Sequence, residues 1–257
     1  MFAAGPSGFE QVGEFPRPLL STGIASNLAS LAATDDALVE GYPLADFAGS
    51  TGFVRYRALD AGTEVTSEQV LASPFGPDSF FGGLVALDED VLVVGAPGRT
   101  VAGVSGAGSV CIYRQTPSGW ALRSTIEPDP AWIVVDYGLG GSLKLRGTEL
   151  LVGALGGNGS SSTPGRAGLV HHYDLSVAGT PSLTQTLRPP TGGRVTGGYG
   201  ATIALDHELL LIGEGSSSND MDGVVFRYER DAPGLPWSWS GTISGPVEGA
   251  GSPPFDG

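Results

Sequence analysis

FGGLVALDEDVLVVGAP, the stretch from Phe81 to Pro97, has three worn copies elsewhere in the chain. They read NLASLAATDDALVEGYP from Asn27 to Pro43, LGGSLKLRGTELLVGAL from Leu139 to Leu155, and YGATIALDHELLLIGEG from Tyr199 to Gly215. In each, fourteen positions separate the first residue from a glycine, and these glycines (Gly41, Gly95, Gly153 and Gly213) lie 54, 58 and 60 residues apart. A period of this size with strand-like contents denotes a propeller or solenoid rather than a conventional single-core fold.

Each copy predicts two strands. Strand A, typified by Gly82 to Leu87, is rich in small residues and suits a crowded centre. Strand B, typified by Val91 to Ala96, is a nearly continuous apolar run, as expected of a strand buried on both faces. The turns between them are acidic (Asp35-Asp36, Asp88-Glu89-Asp90, Asp206-His207-Glu208), except for Arg146-Gly147-Thr148 in the third copy. Asp and Gly suit tight hairpin turns. A loop rich in Gly and Ser follows, then strand C with the signature GxVxxY: GSVCIY at Gly108 to Tyr113, GLVHHY at Gly168 to Tyr173, GVVFRY at Gly223 to Tyr228, and a shorter GFVRY at Gly52 to Tyr56. The tyrosine at its end is placed to bury its ring and keep its hydroxyl wet. Strand D alternates polar and apolar residues and stops at proline, which cannot continue a ladder (63–74, 119–130, 182–190, 236–246).

The order A-B-C-D thus recurs in 24–74, 75–130, 131–190 and 191–246. Four antiparallel strands per repeat is the blade of an all-β propeller. A fifth D-like segment, 8–18, reads as the outer strand of a preceding blade. We therefore expect the four blades to belong to a longer propeller, and to associate through open blade edges.

Composition narrows the partners. The formal net charge of −14 removes the basic footprint of a nucleic-acid binder. No apolar run approaches a transmembrane span, and the first residues have neither the basic nor the long apolar region of a signal peptide. Cys111, the only cysteine, excludes an internal disulfide and a cysteine-based zinc cluster, and its place in SVCIY predicts a small buried side chain.

The aromatic-glycine pair at the head of strand A and the Gly-Ala-Pro after strand B resemble the FG-GAP repeat. Phe81-Gly82 with Gly95-Ala96-Pro97 is the best copy, and Tyr137-Gly138 and Tyr199-Gly200 stand for the first element in later blades. Gly41-Tyr42-Pro43, Gly153-Ala154-Leu155 and Gly213-Glu214-Gly215 are degraded forms of the second. The GxVxxY strands and the D strands with Trp120 and Trp237 resemble the bacterial secreted branch of that family, whose repeat also builds the head of integrin alpha subunits. The resemblance implies about seven blades, a secreted or cell-surface location and ligand binding on one face. It departs from calcium-binding integrin repeats in having only a hairpin turn between A and B. Two or three turn acids cannot supply six to eight oxygen ligands, so calcium and other cofactors are not expected. The richest oxygen cluster is Asn219, Asp220 and Asp222.

Catalytic patterns are weak. His171 and His172 are adjacent in a strand and must point to opposite faces, and no phosphate loop or GxSxG elbow occurs. Trp132, Trp237 and Trp239 offer rings for sugars, but a blade-surface or inter-blade packing role explains them better. The expected function is a non-enzymatic interaction or adhesion module for a protein or glycan. The alternatives are a polysaccharide lyase or hydrolase, and a structural spacer. The A–B turn is constant in length, whereas the B–C loops span 11, 13, 15 and 10 positions between the glycines at 41 and 52, 95 and 108, 153 and 168, and 213 and 223. Varied loops on a rigid scaffold carry function. They place the binding face at Asp46, Phe47, Arg99, Asn158, Asp220 and Asp222, joined by Trp132 and Arg194 from the D–A connections.

Overall fold

The computed structural model describes residues 2–5, 8–11, 28–47, 50–60, 64–130, 133–156, 168–177, 180–190, 198–214 and 223–244. Every regular element among them is a strand. Phe2–Gly5 (β1) and Gly8–Gln11 (β2) form a two-stranded antiparallel hairpin, so the start of segment 8–18 has a partner of its own, and 12–18 lie outside the described residues.

Sixteen further strands make four four-stranded antiparallel sheets, each ordered as in the sequence. Blade one holds Ser30–Ala33 (β3), Ala37–Phe47 (β4), Ser50–Asp60 (β5) and Glu64–Ala72 (β6). Blade two holds Leu84–Asp88 (β7), Val91–Ala96 (β8), Ser109–Thr116 (β9) and Gly119–Ile126 (β10). Blade three holds Leu139–Arg146 (β11), Glu149–Ala154 (β12), Leu169–Asp174 (β13) and Ser182–Leu187 (β14). Blade four holds Tyr199–Asp206 (β15), Leu209–Glu214 (β16), Val224–Glu229 (β17) and Ser238–Ser244 (β18). These are the blades of a propeller-type fold. Neighbouring blades pack through their A strands: β7 lies against β3 and β4, β11 against β7 and β8, and β15 against β11 and β12.

Strand B is the most apolar, and both faces of the central blades are covered by a neighbouring blade. All six residues of β8 are buried. Equivalent positions build equivalent contacts between blades. Val39, Val54 and Leu71 of blade one pack with Phe81 and Val94 of blade two. Val93, Val110 and Ile126 pack with Tyr137 and Leu139 of blade three, and Leu151, Val170 and Leu187 with Tyr199 and Ile212 of blade four. Fully burying each such side chain contributes about 1.5–3 kcal/mol.

The two sequence signatures meet in this core. The aromatic that leads strand A turns onto strand C of its own blade: Phe81 edge-on to Tyr113 at 6.5 Å, Tyr137 hydrogen-bonded to His171 Nε2 at 2.7 Å, and Tyr199 to the Tyr228 hydroxyl at 2.7 Å. The Tyr228 hydroxyl is therefore not wet, as the sequence suggested. It donates to the Arg188 carbonyl at 3.1 Å and accepts from Tyr199. The reason is that the D–A connection passes over the strand end and brings a carbonyl to it.

At the rim, strands D are tied by side chains that imitate a backbone ladder. Gln69 Nε2 donates to the Trp120 carbonyl at 3.0 Å, while the Trp120 amide donates to Gln69 Oε1 at 2.7 Å. Gln185 and Trp237 repeat the pair at 2.8 Å in both directions.

Cys111 sits wholly buried in β9, and burial pushes its thiol up to about 12, the Thr125 hydroxyl and the distant Arg99 charge offsetting this only in part. A thiol so protonated is a packing group. The native protein should take up no maleimide at pH 7, and rapid labelling without denaturant would refute this burial.

Candidate functional site

On the side of the A–B turns and C–D connections, blades two, three and four enclose an open groove of about 780 Å³. Two-residue turns set its floor. Asp88 pairs with Val91, Arg146 with Glu149 and Asp206 with Leu209 across them. The first residue of each turn takes the left-handed conformation, at φ 46° for Glu89, 55° for Gly147 and 49° for His207.

A carboxylate at the start of a B strand organises the groove. Glu149 receives both terminal nitrogens of Arg230, at 2.5 and 2.9 Å, and His172 Nε2 at 2.8 Å. Arg230 comes from the next blade, just after β17, so the bidentate pair spans the joint. Its guanidinium also donates to the His207 carbonyl at 3.1 Å and stacks on Trp237 at 4.1 Å. The Arg230 side chain is only 3% exposed. Burial works to raise the Glu149 carboxyl, but hydrogen bonds from His172 and Arg230, reinforced by their charges, bring it down to about 2. Thr184 lies 2.8 Å from the remaining His172 nitrogen. On the opposite face of β13, His171 contacts Tyr137 and Thr186, and burial, with Arg188 nearby, lowers it to about 4.

Asp88 and Arg114 also bridge blades. Asp88 of blade two accepts the Gly147 amide of blade three at 2.5 Å. Arg114 pairs with Asp90 at 3.0 Å and donates to the Leu175 carbonyl of blade three at 2.7 Å. The centre of this face is thus a set of joints between blades, with its strongest acid ionised and both its oxygens engaged.

On the opposite face, Arg99 follows strand B of blade two. It pairs with Glu127 at 2.7 Å, donates to the Ser109 hydroxyl at 2.9 Å and lies over the Phe75 ring at 4.0 Å. It thereby fastens the B–C loop to the D–A connection. Asp46 and Phe47 end β4, where the backbone alone is described. Trp132, Asn158, Arg194, Asp220 and Asp222 lie outside the described residues, as does Asn219 of the candidate oxygen cluster. Among the described residues no group of three or more His, Cys, Asp or Glu side chains is placed to hold a metal.

The Glu149–His172–Arg230 cluster was not singled out from sequence, because its members come from two strands of one blade and the residue after a strand of the next, at no fixed spacing. The Gln–Trp pairs had a signal. Gln69 and Gln185 occupy the same D position, and the tryptophans follow 51 and 52 residues later.

No family model and no curated protein sequence matches the chain. Among solved structures it is similar to the computationally designed Ika4 protein, at 13% identity over 80% of this chain and 93% of that one, with a TM-score of 0.45. It is also similar to a candidate 6-phosphogluconolactonase from Bacteroides fragilis, at 14% identity over 84% of this chain and 71% of that one, with a TM-score of 0.43.

Proposed function

We propose that this chain is a non-enzymatic interaction module of the FG-GAP type, secreted or displayed at a cell surface, that takes a protein or glycan on its B–C loop face. The observation that carries this reading is how the two faces use their side chains. On the A–B side the central charges are committed to joining blades: Glu149 to Arg230 and His172, Asp88 to Gly147, Arg114 to Asp90 and Leu175. Glu149, ionised and doubly bonded, has no proton to give at neutral pH. The other face carries the loops that differ in length, supported by the Arg99 clamp, and needs neither calcium nor another cofactor for this role.

The test is a printed array of glycans and extracellular matrix proteins. Replacing both Trp132 and Arg194 by alanine should weaken binding at least tenfold while moving the melting temperature by no more than about 2–4 °C, as for changes near 1 kcal/mol. Equal loss from Glu208→Ala on the A–B side would place the ligand on the wrong face. Release of reducing ends from a bound polysaccharide would replace the module reading with the lyase or hydrolase alternative.

A further inference from the structure

Each joint between blades has an inner lock. A methyl group added to Gly41 would overlap the Gly82 carbonyl oxygen of blade two. At Gly95 it would overlap the Gly140 carbonyl of blade three, and at Gly153 the Gly200 carbonyl of blade four. Strand B therefore offers a bare glycine, against which the next strand A seats a glycine carbonyl. The seated glycines share one left-handed conformation, at φ 89°, 91° and 88° for Gly82, Gly140 and Gly200. In two joints a hydroxyl completes the lock: Ser30 Oγ donates to the Gly82 carbonyl at 2.9 Å and Ser142 Oγ to the Gly200 carbonyl at 2.5 Å. Leu84 takes that position in blade two.

Blade four repeats the receiving half. Gly213 pairs with Thr202 as Gly153 does with Ser142. Among the described residues, the three atoms nearest to a methyl group on Gly213 all belong to Thr202, and no carbonyl of another blade is among them. The apolar trio beside it is also repeated. Leu211, Val225 and Ile243 occupy the positions of Leu151, Val170 and Leu187, by the pairings Gly213–Val225–Ile243 and Gly153–Val170–Leu187. In blade three these side chains are 0, 0 and 4% exposed beneath blade four, whereas in blade four Leu211 and Val225 are half-buried and Ile243 is 55% exposed.

We infer that this face of blade four is a docking surface for one more blade of the same repeat, next along the polypeptide, whose first strand seats a left-handed glycine carbonyl against Gly213 and Thr202. Three interfaces within the chain set the precedent, and all three are filled by the following blade. The seated glycine comes 41, 45 and 47 positions after the receiving one, from Gly41 to Gly82, Gly95 to Gly140 and Gly153 to Gly200. A second copy of this chain, docking head to tail, fits poorly. Blade one carries Leu28 where the others carry the seated glycine, and Leu28 is not left-handed. Its facing surface holds Glu40, Arg55 and Arg57 where blade two holds Val94, Cys111 and Tyr113. These charges are already buried and joined to one another, Arg55 to Glu40 at 2.8 Å and Arg57 to Glu40 at 3.4 Å.

The experiment compares the 257-residue chain with one carrying a copy of residues 75–130 joined after Pro246, which puts the copied Gly82 at 41 positions from Gly213. Ile243→Cys is introduced into both, the copied Cys111 of the added segment is replaced by alanine, and the rate of maleimide labelling is read, the buried Cys111 of blade two serving as internal control. Labelling should be fast in the 257-residue chain and at least tenfold slower in the extended one. Gly213→Ala should restore the fast rate in the extended chain. Equal rates in the two chains overturn the inference. Slow labelling of the 257-residue chain that quickens on dilution also overturns it, since a second copy then covers the face. A measurement independent of whether the added blade folds is the Gly213→Ala substitution in the 257-residue chain. Made beside Thr202→Ala, which removes the hydroxyl that the methyl group would overlap, it should leave the melting temperature within about 2 °C, and a fall as large as that of Gly153→Ala beside Ser142→Ala would show the lock already filled.

Discussion

Gly95→Ala should cost about 1–3 kcal/mol, the range for forcing extra atoms into a packed interior, and lower the melting temperature by about 2–12 °C. The added methyl group meets a backbone carbonyl, that of Gly140, which no side-chain rotation can remove. Strand β11 must move away from β8, and the contacts of Val93, Val110 and Ile126 beneath Tyr137 and Leu139 loosen with it. Calorimetry on the single variant reads this directly. A melting temperature within 2 °C of the parent would mean that blades two and three do not approach as closely as described.

Removing the Glu149 carboxylate should be larger still. Glu149→Ala leaves the Arg230 guanidinium, 3% exposed, without its counter-charge, a class of change that costs about 3–5 kcal/mol. The same cluster predicts how stability depends on pH. Glu149 titrates at about 2 when folded against 4.5 as an isolated group, so its contribution is complete above about pH 4.5 and is lost as pH falls through 2. His171, at about 4 against 6.5, is kept neutral by the fold. Its contribution is complete above about pH 6.5 and shrinks as the pH falls toward 4, where the unfolded chain binds a proton that the folded one refuses. The melting temperature should therefore begin to fall below about pH 6.5, and fall more steeply below 4.5. His171→Gln should flatten the upper limb and Glu149→Gln the lower. A Glu149→Gln profile as steep as the parent's below pH 4.5 would assign the acid lability to other carboxylates.

The blades were legible in the sequence because their signals are local. Alternation in GWALRSTI, the apolar run VLVVGA and the two-residue turns each depend on neighbours along the chain. What was not legible depends on the stacking of one blade on the next. Glu149 and Arg230 are 81 positions apart, and nothing in either segment distinguishes them from solvated charges. The blade-one sequence VEGY and VRYR looks like a wet strand pair, yet Glu40, Arg55 and Arg57 are buried because, with Glu68 of the next strand, their charges cancel within the sheet. Arg99 was placed on the binding face by its loop, while its contacts with Glu127, Ser109 and Phe75 required the fold of the D–A connection. The repeated glycines were visible as a period. Their role as seats for a neighbour's carbonyl became apparent only with the blades assembled.

The Gln–Trp ties at the rim have a mechanical consequence. They fasten blade one to two and blade three to four, but the corresponding place between blades two and three carries Ser124, whose hydroxyl is buried without a partner among the described residues. The outer edge of that seam is therefore more compliant than the two tied seams, and the described blades should breathe as two stiff halves. Amide exchange would register this as one opening free energy shared by β6 and β10 and a separate one shared by β14 and β18.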